Sequence, residues 1–71
     1  MTLQQHIKIL FIRRGVKQVD ISNRFGYDKG TVSKVVAGER DTQHIRNAVC
    51  AILDLPYQEV FPKELLTTTN P

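Results

Sequence analysis

Apolar residues along this chain recur every three or four positions, the period of a helix, and no stretch alternates in the manner of a strand. Leu3, Ile7, Leu10 and Phe11 predict a helix over Leu3–Arg14, with Thr2 as its cap, Arg13 and Arg14 at its negative end and Gly15 as its stop. A second helix is predicted over about Gln18–Phe25, burying Val19 or Ile21 together with Ser22 and Phe25, and Gly26 ends it. Asp28 suits the N-cap of a third helix, Lys29–Ala37, which Gly38 closes. Thr42 suits the cap of a fourth, about Gln43–Leu53, with Ile45, Val49, Cys50, Ile52 and Leu53 as its apolar line. Pro56 stops any continuation, and residues 57–61 predict a last short helix that folds Val60 and Phe61 back on the core.

The expected fold is therefore all-α, a compact bundle of four to five short helices over residues 1–66, with 67–71 as a flexible tail. None of these helices is long enough to be stable alone, so tertiary packing must hold each of them.

Size and charge narrow the function. A chain of 71 residues makes one small domain with little room for a deep catalytic cleft. Net charge is only +3, but its distribution is uneven. Residues 1–46 carry nine Lys and Arg against four acids, hence +5, while residues 47–71 carry Lys63 against Asp54, Glu59 and Glu64, hence −2. The basic part reads either as a surface for an anionic partner or as an ordinary solvated face. The single cysteine, Cys50, forms no intrachain disulfide and no zinc pattern with His6 and His44, and its place on an apolar line makes it a small core residue. His6 is expected at the surface, and Phe25, Leu55 and Phe61 in the core. The run 7–12 is too short to span a membrane, and no leader pattern follows the start, so a soluble cytoplasmic protein is expected. No glycine-rich phosphate loop, acid pair or Cys–His pairing supports an enzyme; no catalytic residue, metal or cofactor is expected.

The informative stretch is "QVDISNRFGYDKGTVSKVVAG", residues 18–38. On a wheel of about 100° per residue, Val32, Val35 and Val36 share one side of the third helix. Gly30, Ser33, Lys34 and Ala37 share the other, and Lys29 and Thr31 flank its first turn. The outward face is small and positive, with no acid between residues 29 and 38.

This pattern resembles the helix-turn-helix of the phage-repressor-like, Cro-like DNA-binding proteins. Gln18 stands at the first motif position, Ser22 at the fifth, Gly26 at the ninth, Val32 at the fifteenth and Val35 at the eighteenth. The lead-in Gly15-Val16-x-Gln18 and the downstream run "AILDLPYQEVFP" extend the likeness over about residues 5–62. The "RFGY" turn and the "VFP" ending are similar to the small phage Ner-like regulators.

The resemblance implies a sequence-specific regulator, repressor-like and of phage or bacterial kind, that binds a double-stranded DNA operator with the third helix in the major groove. Lys29, Gly30, Ser33 and Lys34 match the base-reading positions. Gln18 matches a phosphate contact, aided by the positive end of the second helix. Thr31, Arg40, Thr42 and His44 fit phosphate contacts around the loop after the third helix, and Lys17, Arg14 and Tyr27 are further candidates. His44 reads equally as a plain loop residue, and Tyr27 as a wedge between helices.

The family commonly binds as a homodimer, for which the region ending in Tyr57, Leu65 and Leu66 offers a surface. No small-molecule ligand or membrane partner is expected, and DNA binding would associate the protein with the nucleoid. A different use of the same fold is a protein-binding adaptor such as an antitoxin or anti-repressor.

Two positions depart from the pattern. Phe11 and Val36 stand where relatives often pair an Arg with a Glu, so an apolar contact is expected to replace an ion pair. Gly30 stands where relatives often place a polar reader. It reads either as room for a thymine methyl or close backbone approach, or as a tolerated first-turn glycine.

Overall fold

The structure, a computed structural model, describes residues 1–66. The tail expected at 67–71 lies outside the described residues. The described chain is all helical: α1 Leu3–Arg14, α2 Gln18–Phe25, α3 Lys29–Val36, α4 Gln43–Leu53, α5 Tyr57–Val60 and α6 Lys63–Leu66. The last of these goes beyond the four to five helices expected. α3 closes one residue earlier than expected, with Ala37 as its cap.

Local chemistry sets the ends. The Thr2 hydroxyl accepts the Gln5 N–H at 3.2 Å, and the Thr2 N–H donates to Gln5 Oε1 at 3.0 Å, a reciprocal capping box. At α2 the N-cap is Lys17, whose ammonium has no lone pair to offer. Only the return half of the box forms: the Lys17 N–H donates to Asp20 Oδ2 at 2.9 Å. Thr42 occupies the N-cap of α4, but its hydroxyl makes no capping bond, contrary to expectation. Asp54 ends α4 in the left-handed region at φ 56°, which a short polar side chain tolerates.

One buried cluster joins the helices. Ile7, Ile21, Val32, Val35, Val36 and Val49 are fully enclosed, with Leu3, Phe11, Ile45, Ala48, Cys50, Leu53, Val60 and Phe61 around them. At the pair 19/21 it is Ile21 that is buried, while Val19 is half-buried. Phe11 and Val36 are both buried in this cluster, and α1 packs on α3.

Two expectations about burial fail. Phe25 is 39% exposed rather than core, because α2 ends there and the chain turns at Gly26 before a further turn of helix can cover the ring. His6 is half-buried, and its Nε2 donates to the Glu59 carbonyl at 2.7 Å, tying α1 to α5.

The arginine of α4 is the unusual core neighbour. Arg46 is half-buried, its guanidinium lies 5.3 Å from the Phe61 ring centre, and its Nη1 donates to Tyr57 Oη at 3.3 Å.

Candidate nucleic-acid interface

Four features hold α3 against α2. Gly26 adopts φ 77°, a left-handed turn that a side chain would strain. Its N–H donates to the Ser22 carbonyl at 2.9 Å and closes α2. Asp28 then caps α3: its Oδ2 accepts the Thr31 N–H at 3.1 Å. Val32, Val35 and Val36 point inward and are fully buried. Ser22, 8% exposed, gives the two helices a small residue at their crossing.

This packing forces the opposite face of α3 outward. Lys29, Gly30, Ser33 and Lys34 are all exposed, and Thr31 is half-buried at the flank. At the start of α2, Gln18 is half-buried. Gln18, Val19 and Ser22 line one groove together with Lys29, so the starts of α2 and α3 lie side by side. Lys17 is exposed just ahead of that groove.

The positive charge here comes from side chains. Both helix starts carry a carboxylate, Asp20 on α2 and Asp28 on α3, each bound to a backbone N–H. These acids offset the positive helix ends, so the help expected from the start of α2 is diminished.

A second cluster of candidate residues forms where the turn meets α4. Tyr27 stacks on Phe25, ring centres 6.2 Å apart and planes 13° apart, and His44 lies 5.4 Å from Tyr27. His44 is exposed on the first turn of α4, not in a loop, and Thr42 is the half-buried residue ahead of it. Arg40 is exposed in the α3–α4 connection, between Glu39 and Asp41. Arg14 is exposed and lines a different groove, with Leu10, Arg13, Leu55 and Glu59.

Thus the fold brings Gln18, Lys29 and the exposed face of α3 together, and it joins Tyr27 to His44. The aromatic row Phe25–Tyr27–His44 was missed in the sequence, where its members are spread over three elements and nothing in their spacing links them. Leu65 and Leu66, expected to be exposed at a pairing surface, are half-buried against the core, and so is Tyr57 of the same region.

Among the described residues no group of three His, Cys, Asp or Glu side chains is placed to hold a metal ion. No described helix is long and apolar enough to cross a membrane. No family model matches the chain, and no curated protein or solved structure matches it either.

Proposed function

We propose that this chain is a sequence-specific regulator that binds double-stranded DNA, repressor-like, with α3 as the reading helix in the major groove. The observation that carries the reading is the division of α3. Three valines are spent on holding the helix, and the residues left outward are Lys29, Gly30, Ser33 and Lys34, with no acid among them. Small side chains admit a groove wall closely, and Lys29 and Lys34 can donate to guanine O6 or N7. Ser33 can pair with several bases.

Lys17, Gln18, Thr31, Arg40, Thr42, His44 and Tyr27 flank that face in the role of phosphate contacts, which set register and affinity. Arg14 is a further candidate for this role, from a groove that it shares with Glu59. The phage or bacterial setting, and occupation of an operator in the cytoplasm, belong to the same proposal.

One observation favours a second reading. Phe25 leaves an apolar ring exposed beside Tyr27, which suits a protein partner better than a phosphate. In that reading the chain is a protein-binding adaptor such as an antitoxin or anti-repressor. Selection from random duplexes, followed by a salt titration on the enriched site, separates the two. DNA reading requires an enriched sequence and an affinity that falls steeply with salt. Retention of no duplex at low salt would sink it.

A further inference from the structure

Arg46 is a half-buried cation with little inside the fold to answer its charge. Its guanidinium lies 5.3 Å from the centre of the buried Phe61 ring, and Nη1 donates to the neutral Tyr57 hydroxyl at 3.3 Å. Its Nε is enclosed and has no hydrogen-bond partner among the described residues. No carboxylate among the described residues pairs with it. A charge drawn this far out of water ordinarily has a counter-charge. Here a ring and a hydroxyl fix the guanidinium in place and leave most of its N–H donors to other partners.

Arg46 borders a cavity of about 470 Å³ between the start of α1, the α3–α4 connection, α4 and α6. That volume falls among those of small-molecule sites, about 300–1,000 Å³. Glu39 and Asp41 of the connection line the same cavity, so opposite charges share it without pairing. With Arg40 the lining holds two cations and two carboxylates. A ligand with net charge of either sign therefore gains on one wall and loses on the other. Leu3, Leu65 and Leu66 make the apolar part, Leu3 buried and the two others half-buried. The lining comes from four separate elements, so no spacing in the sequence marks it.

We infer that this cavity binds a small neutral zwitterion with an apolar side chain, of the α-amino acid class. The carboxylate pairs with Arg46, whose planar fork suits two parallel hydrogen bonds to it. The ammonium meets Glu39 and Asp41, and the side chain lies on Leu3, Leu65 and Leu66. A zwitterion answers both charged walls together, whereas a singly charged ligand leaves one of them unpaired. No part of this site depends on DNA binding, and it can be measured without duplex.

The test follows the backbone amides of the full chain by NMR during titration with leucine, methionine and phenylalanine at millimolar concentration. Two truncated probes run beside them: leucine methyl ester, which has no carboxylate, and 4-methylpentanoate, which has no amine. At least one of the three amino acids should give saturable shifts at residues 39–41, 46 and 65–66. Leucine methyl ester and 4-methylpentanoate should each bind roughly tenfold or more weakly than leucine, since each loses a charged hydrogen bond.

Two variants assign the ends. Glu39→Gln with Asp41→Asn changes exposed side chains only and leaves the fold intact, as a melting curve checks. It should weaken leucine by roughly tenfold or more and should not weaken 4-methylpentanoate. Arg46→Lys keeps the charge but loses the fork, and should weaken leucine and 4-methylpentanoate alike. No saturable shift from any of the three amino acids, or shifts confined to other residues, overturns the site. Leucine binding no tighter than 4-methylpentanoate, or unchanged in the Glu39→Gln, Asp41→Asn protein, overturns the zwitterion as its ligand.

Discussion

A Cβ added to Gly30 would stand 3.0 Å from Oδ2 of Asp28, the oxygen that caps α3 through the Thr31 N–H. The gap in the reading face thus has a structural cause beside any role in base contact. A side chain at residue 30 crowds the carboxylate that holds the first turn of the helix.

That relationship predicts coupling between the two residues. Replacing a first-turn glycine by alanine would ordinarily stabilise a helix by up to about 1 kcal/mol. Here Gly30→Ala should gain little or lose stability in the wild-type chain, and should stabilise once Asp28→Ala has removed the carboxylate. Asp28→Ala alone should cost about 1 kcal/mol as a lost cap. Denaturant unfolding of the four proteins in the cycle measures the coupling. An identical effect of Gly30→Ala in both backgrounds would show that the close approach has no energetic consequence.

Ser22 carries a hydroxyl that is buried and, among the described residues, has no hydrogen-bond partner. An unsatisfied polar group destabilises, and alanine is the better helix former. Ser22→Ala should therefore raise stability by about 0.5–2 kcal/mol. Ser22→Leu should lower it by about 1–3 kcal/mol through overpacking of the α2–α3 crossing. Thermal melts of both variants check this, and a destabilised Ser22→Ala would mean that the oxygen has a partner after all, such as a bound water.

On DNA, Lys34 and Arg40 should behave differently. Lys34 lies on the exposed face of α3, and Arg40 in the connection beyond it. Lys34→Ala should cost about 1–3 kcal/mol on the preferred site and flatten the difference between sites. Arg40→Ala should weaken binding to all duplexes alike and make the salt dependence shallower. Binding isotherms on a selected and a scrambled duplex at two salt concentrations distinguish these outcomes. Unchanged site preference in Lys34→Ala would place the reading surface elsewhere.

Cys50 links stability to pH. Burial pushes its thiol above the ordinary 9.0, partly offset by a backbone hydrogen bond. The folded state thus holds its proton to higher pH than the unfolded state does. The corresponding stability is complete below pH 9.0 and is lost as pH rises through the folded thiol's higher value. Unfolding measured from pH 7 to pH 10.5 should show wild type losing stability relative to Cys50→Ala only at the alkaline end. Parallel curves over the whole range would contradict the burial effect.

α1 to α5 and the turn were legible in the sequence because their signals are local, while α6 was not read. Thr2 and Asp28 cap through neighbours three residues away, and Gly15 and Gly26 supply left-handed turns wherever the rest of the chain goes. The buried side of α3 was equally legible, since three valines at helical spacing leave one way to turn it. From these follows the exposure of Lys29, Ser33 and Lys34.

Tertiary structure decided what depends on how the helices cross. It chose Ile21 over Val19 for the core, turned Phe25 out onto Tyr27, and carried His44 from α4 to the same row. It also decided that Tyr57, Leu65 and Leu66 pack inward while Ile9 and Ile12 do not. Helical period marks a residue as apolar and assigns it a side of its own helix. Whether that side meets a neighbour is set by inter-helix angles and by how far each helix extends, and α1 has apolar residues on two sides with a neighbour for only one.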